Sequence, residues 1–157
     1  MVNDSKNAPD TGQQGRARRM AVLAQADPRQ LACLWRDLGI DPAFSLVRGP
    51  ETGLVTLRGR IGGGGSPFNF GEATVTRATV RLGNGAVGHA WMLGRDHAKA
   101  KLAAVIDALA ADPAMERSIE ASLIAPLARS AADADDAKRA ETAATRVDFF
   151  TMVWGED

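Results

Sequence analysis

Tyrosine is absent from this chain of 157 residues, cysteine occurs once and histidine twice. A lone thiol, Cys33, excludes an internal disulfide framework and fits a reducing cytoplasm. Its position beside Leu34 and Trp35 on an expected helix assigns it to the core rather than to nucleophilic work. His89 falls inside an expected strand and His97 at an expected helix start, so no cluster with metal-ligand spacing arises. The expectation is that this chain alone holds no metal and no cofactor. Neither a Gly-x-Ser-x-Gly elbow nor a Cys–His pair occurs. No stretch approaches the roughly 20 apolar residues of a membrane span. An excess of one charge is missing too, since 19 basic and 19 acidic residues cancel. That balance argues against a general nucleic-acid partner, which needs basic residues to neutralise phosphates.

What is present suits a soluble protein with a real core: the hydrophobic share is 45% and the charged share 24%. Residues 1–15 are polar, without the apolar run of a secretion signal, and read as a disordered tail. Residues 16–157 are then expected to form one domain.

Helical and strand periods alternate along that domain. Arg16 to Ala26 suits a short helix. Asp27-Pro28-Arg29-Gln30 restarts the chain with an acidic N-cap and a proline at the first helical position. Leu31, Leu34, Trp35 and Leu38 then form one apolar stripe that Gly39 ends. From Phe44 the period becomes two. Phe44 to Arg48 is a candidate strand, Gly49 to Gly53 a turn, and Leu54 to Ile61 the returning strand, with Val55, Leu57 and Ile61 on one face and Thr56, Arg58 and Arg60 on the other. Phe68 to Leu82 is a long strand with a bend expected near Gly71. It places Thr76, Ala78, Val80 and Leu82 opposite Arg77, Thr79 and Arg81. Gly83-Asn84-Gly85 is a hairpin turn leading into Ala86 to Leu93. The small Ala86, Gly88 and Ala90 on one face of that strand invite a helix to approach closely.

Asp96 caps the next helix, for which Ala98, Leu102, Val105, Ile106 and Leu109 are the expected buried stripe and Asp112-Pro113 the stop. Leu123-Ile-Ala-Pro-Leu127 reads as extended because of its proline. Ala128 to Thr145 is helical by propensity, and its alanine face suits close approach to a neighbouring surface. The fold class expected from this order is α+β, a small antiparallel sheet built from hairpins with helices packed on it.

Arginine beside glycine and acid is the remaining chemistry. Gly62 to Pro67 lacks the Lys-Ser/Thr pair of a phosphate loop and reads as a hairpin connection. Arg77 and Arg81 share a strand face, Arg95 precedes a helix start, and Arg146 opens the closing stretch with Asp148. Arg77, Arg81, Arg95 and Arg146 are candidate contacts for phosphate or phosphonate oxygens, which guanidinium groups match bidentately. They serve equally well as structural ion pairs.

The closing stretch, Arg146-Val-Asp-Phe-Phe-Thr-Met-Val-Trp154, is apolar on both faces when extended: Val147, Phe149, Thr151 and Val153 against Asp148, Phe150, Met152 and Trp154. Such a strand must be covered twice, by its own chain or by another. Val147, Phe149, Phe150, Met152 and Trp154 are therefore candidate partner contacts.

Arg146 to Val153 closely resembles the C-terminal motif of the PhnG family, a subunit of the bacterial carbon-phosphorus lyase core complex. Glu51-Thr-Gly-Leu-Val55, Ala73 to Leu82, Gly94-Arg-Asp96 and Leu123 to Leu127 are similar to that family in the same order. The four glycines after Ile61 and the longer polar tail depart from it. The resemblance implies a subunit of alpha-D-ribose 1-methylphosphonate 5-triphosphate synthase, a transferase inactive as this chain alone. With PhnI, PhnH and PhnL it would serve the step in which methylphosphonate displaces adenine from ATP. PhnI is the implied direct partner, in an assembly that also holds PhnH and PhnJ; ATP and methylphosphonate are substrates of the complex. The resemblance transfers no catalytic residue. A free-standing anion-binding enzyme using Arg58, Arg60, Arg77, Arg81 and Arg95, and a purely structural scaffold, are the alternatives.

Overall fold

A computed structural model describes residues 11–60 and 64–145. Two helices, α1 (Thr11–Gln25) and α2 (Pro28–Asp37), precede three strands, β1 (Phe44–Gly59), β2 (Phe68–Leu82) and β3 (Val87–Leu93). Helices α3 (His97–Leu109) and α4 (Pro113–Ile119) follow, then a π-helical turn (Glu120–Ile124) and α5 (Ala125–Ala144). The α+β class expected from the sequence is the one observed. Helix α1 begins five residues earlier than expected, so that residues 11–15, placed in the disordered tail above, are helical.

The strands form an antiparallel meander in the order β1-β2-β3. Leu82 N–H donates to Ala86 O at 2.8 Å and Gly85 takes φ +89°, closing the expected hairpin. One sheet face, with Thr76, Ala78, Val80, Leu82, Ala90 and Met92 buried, is covered by α3. The covering stripe keeps Val105 and Ile106 of the expected one and departs from it elsewhere. Ala98 is exposed and Leu102 and Leu109 are half-buried, whereas Ala100, Ala103, Ala104 and Ala108 are buried with Val105 and Ile106. Alanines replace larger residues because the backbones meet closely: a Cβ on Gly88 would stand 2.1 Å from Ala104 O. Leu23, Leu31, Ile119, Leu123, Ile124 and Leu127 continue the core away from the sheet.

Three further readings are corrected. Gly49 to Gly53 is no turn; β1 runs through it, and its pairing with β2 slips between Leu46 and Arg48 and again between Arg48 and Glu51. The turn-prone residues serve bulges instead, and Gly49 itself sits at φ +67°. Leu123 to Leu127 is helical rather than extended. Pro126 lies in the first turn of α5, and the π-helical turn before it, where Ala125 N–H donates five residues back to Glu120 O, relaxes the clash a proline makes with the preceding turn. Cys33 is exposed, because the α2 stripe that faces the core runs through Leu31, Leu34, Trp35 and Leu38 and leaves Cys33 on the outer side. From Ala132 to Thr145, α5 is exposed on every side.

Candidate functional site

Among the described residues no helix covers the second sheet face, and the β1 bulges decide which side chains it gathers. In a regular strand, residues 48 and 51 would point to opposite faces. The extra residue between them turns both toward the open face, with Arg48 opposite Thr79 and Glu51 opposite Arg77. Glu51 Oε1 accepts from Arg48 Nε at 2.7 Å and from Arg77 Nε at 2.5 Å. These donors, Arg48 first and then Arg77, hold the Glu51 carboxyl below the usual carboxylate range. Arg77 also lies over the Trp91 ring, 5.3 Å from its centroid, while Trp91 is 55% exposed. Beside this pair, Gly53 contributes no side chain, and a hollow of about 200 Å³ opens between Val55, Val75, Arg77 and Trp91. Thr79 and His89 sit next along the face, Thr79 Oγ1 lying 3.1 Å from His89 Nδ1.

A polar chain runs beneath the start of α3. Thr76 Oγ1 donates to Gly94 O at 2.7 Å and lies 3.2 Å from Thr52 Oγ1, which lies 2.8 Å from His97 Nε2. Asp96 caps α3 by accepting from Lys99 N–H. Lys99 Nζ donates in turn to Ala24 O at 2.7 Å, and burial lowers its pKa against the pull of Asp96 and Asp27.

The far edge of the sheet is sealed by charge. Asp107, buried on α3, accepts from the His89 backbone N–H at 2.9 Å and from Arg16 Nε and Nη2 at 2.8 and 2.7 Å. The Asp107 hydrogen bond raises the Arg16 pKa further above its ordinary value. Arg19 pairs with Glu116 at 2.9 Å and Arg18 with Glu120, so α1 is fastened to α3, α4 and the π-helical turn by three ion pairs.

Of the arginines singled out in the sequence, Arg77 stands at the centre of the open-face cluster. Arg81 is exposed on the same face at the register of Val87, with no ion pair among the described residues. Arg95 is exposed beyond the other end of β3, so these three do not converge. Arg58 and Arg60 are exposed near the end of β1, apart from all of them. Arg146, Val147, Phe149, Phe150, Met152 and Trp154 lie outside the described residues. Sequence reasoning missed Arg48, Glu51, Trp91, Asp107 and Arg16 as partners. The Gly-Pro dipeptide within a strand pattern was the one available signal, as a mark of a bulge.

Among the described residues, no group of three His, Cys, Asp or Glu side chains is placed to hold a metal ion. No described helix is long and apolar enough to cross a membrane. A meander closed on one face by alanines and, among the described residues, left open on the other, with ion-paired arginines and an exposed indole, defines an α+β protein that offers a surface. The chain belongs to the PhnG family: the model of phosphonate metabolism protein PhnG matches residues 14–155. It is 52% identical to the alpha-D-ribose 1-methylphosphonate 5-triphosphate synthase subunit PhnG of Rhizobium meliloti (strain 1021), over 100% of both chains.

Proposed function

We propose that this chain is a subunit of alpha-D-ribose 1-methylphosphonate 5-triphosphate synthase and acts in phosphonate catabolism. The observation that supports this is the 52% identity to a curated subunit of that name across the whole of both chains. In the reaction, an oxygen of methylphosphonate bonds to ribose C1′ of ATP while the bond from C1′ to adenine N9 breaks. Adenine leaves with the electron pair and takes up a proton.

The chain contributes binding surface to this transfer and binds no cofactor by itself; ATP and methylphosphonate are substrates of the complex. PhnI is its direct partner, PhnH and PhnL share the step, and PhnJ belongs to the same assembly. The cytoplasm, where ATP is available, is the compartment. A free-standing anion-binding enzyme is less well supported, because Arg58, Arg60, Arg77, Arg81 and Arg95 are spread over the sheet and the segments beyond its strand ends, and Arg77 is already engaged by Glu51.

Co-expression with PhnI, PhnH and PhnL, followed by sizing and an assay of adenine release from ATP and methylphosphonate, tests the reading. Release should require this chain, and this chain alone should give none. Full release in its absence would overturn the proposal.

A further inference from the structure

The open sheet face continues beyond the polar cluster into an apolar arm. Strand β3 pairs with β2 only from Val75 to Arg81, so Leu54–Gly59 and Phe68–Thr74 extend past it as two strands. Two-stranded ribbons are marginal in water unless a face is covered. The alternation of β1 puts Val55 and Leu57 on the same face as Arg77 and Trp91. At the arm's end, β2 carries an extra residue at Phe70, next to Gly71 as the bend in the sequence foretold. A Cβ on Gly59 would stand 3.0 Å from the Phe70 ring, so the missing side chain seats that ring on the same face. Phe68 meets it edge-on with centroids 6.3 Å apart. Phe70 is nevertheless 60% exposed and Leu93, at the other end of the apolar belt, 72%. Between them lies the hollow above Gly53.

We propose that this face is the seat of a different subunit of the synthase, which inserts a large apolar side chain above Gly53 and sets carboxylates against Arg81. The inference rests on the reading that the chain is a synthase subunit, and it assigns the partner's place. Charge selects the occupant: among the described residues the face holds Arg48, Arg77 and Arg81 against Glu51 alone, and Arg81 has no acidic partner. A second copy of this chain fits poorly. Two-fold pairing brings three arginines and one glutamate from each copy into the interface, so the arginine excess is doubled rather than neutralised. A nucleotide fits poorly as well, since the belt runs about 23 Å from Val75 to Phe68 at the rise of a strand.

Three variants of the full chain, co-expressed with the partner subunits, test the seat. Gly53→Phe fills the hollow; Gly53 has no neighbour within 4 Å of an added Cβ and no positive φ, so the isolated variant should melt as the wild type does. Phe70→Asp and Arg81→Glu alter exposed positions. Each should weaken co-elution at least tenfold, while Arg36→Glu, at an exposed position of α2, should not. In the wild-type complex, iodide quenching of Trp91, read as the difference from Trp91→Phe, should be lost. Normal co-elution of all three variants, or Trp91 still quenched in the complex, would overturn the seat and leave the subunit reading standing. A wild-type homodimer that Gly53→Phe turns into a monomer, or ATP binding by the isolated chain that Gly53→Phe abolishes, would assign the face to another occupant and overturn the proposal. Wild-type chain that joins no synthase subunit would sink both readings.

Discussion

Gly88 on β3 and Ala108 on α3 are packed backbone to backbone: a Cβ on Gly88 would lie 2.4 Å from Ala108 N and 2.8 Å from its Cβ. Neither neighbour is the end of a flexible side chain, so helix and sheet would have to separate. Gly88→Ala should therefore cost about 3 kcal/mol, at the upper end of ordinary overpacking. For a chain of this length that corresponds to a melting point lower by roughly 10 °C. Denaturant unfolding of the variant measures the cost, and a loss below about 0.5 kcal/mol would show that α3 does not lie against β3 as described.

The small-residue face of β3 and the hairpin turn before it were legible in the sequence because each rests on local chemistry. The Asp27 and Asp96 caps were legible for the same reason. What escaped depended on pairing. Gly49-Pro50 signals a turn or a bulge with equal force, and only the register of β1 against β2 decides between them. That register created the Arg48–Glu51–Arg77 cluster, so the centre of the candidate site was out of reach of a strand-by-strand reading. Pro126 misled in a similar way, because a π-helical turn can absorb a proline that an unbroken α-helix cannot. The alanine face of α5 was read as a contact surface, yet beyond Ala132 nothing among the described residues covers it.

Asp107 serves two donors at once, the Arg16 guanidinium and the His89 backbone N–H. Asp107→Ala strips both, and the sealed edge of β3 loses its acceptor. The cost should be about 3 kcal/mol, the upper value for hydrogen bonds to a charged group. Arg16, half exposed, can turn to water, which keeps the loss from growing further. Asp107→Asn keeps an acceptor for His89 N–H and should cost about half as much. Thermal unfolding of the two variants side by side gives the order, and equal losses would mean that the backbone contact contributes nothing.

Glu51 supplies a pH response with a definite sign. Its folded pKa is depressed, by Arg48 first and Arg77 second, so its contribution is complete above the ordinary carboxylate value and is lost as pH falls through the lower folded value. Protonation releases Arg77 from the carboxylate that holds it over Trp91. The part of the Trp91 emission that depends on Glu51, read as the difference between wild type and Glu51→Gln against Trp91→Phe, should change only below the ordinary carboxylate range. Glu51→Gln should remove that acid step. A step at or above the ordinary carboxylate range that Glu51→Gln also removes would contradict the ion pairing.

The chain from His97 to Gly94 fixes a tautomer by proton counting. Gly94 O can only accept, so the one proton of the Thr76 hydroxyl goes there. The contact between the two threonines must then be a donation from Thr52 to Thr76, which uses the single proton of Thr52. With that proton spent, Thr52 Oγ1 can only accept from His97 Nε2, so Nε2 carries hydrogen whether the ring is neutral or charged. Nitrogen chemical shifts of the neutral ring should accordingly show a protonated Nε2 and a bare Nδ1. Thr76→Val removes the acceptor for Thr52, frees the Thr52 proton to point at Nε2, and should shift the ring toward the Nδ1–H form. It should also cost about 1 kcal/mol for the lost bond to Gly94 O. A wild-type ring protonated at Nδ1 alone would break the chain at its first link.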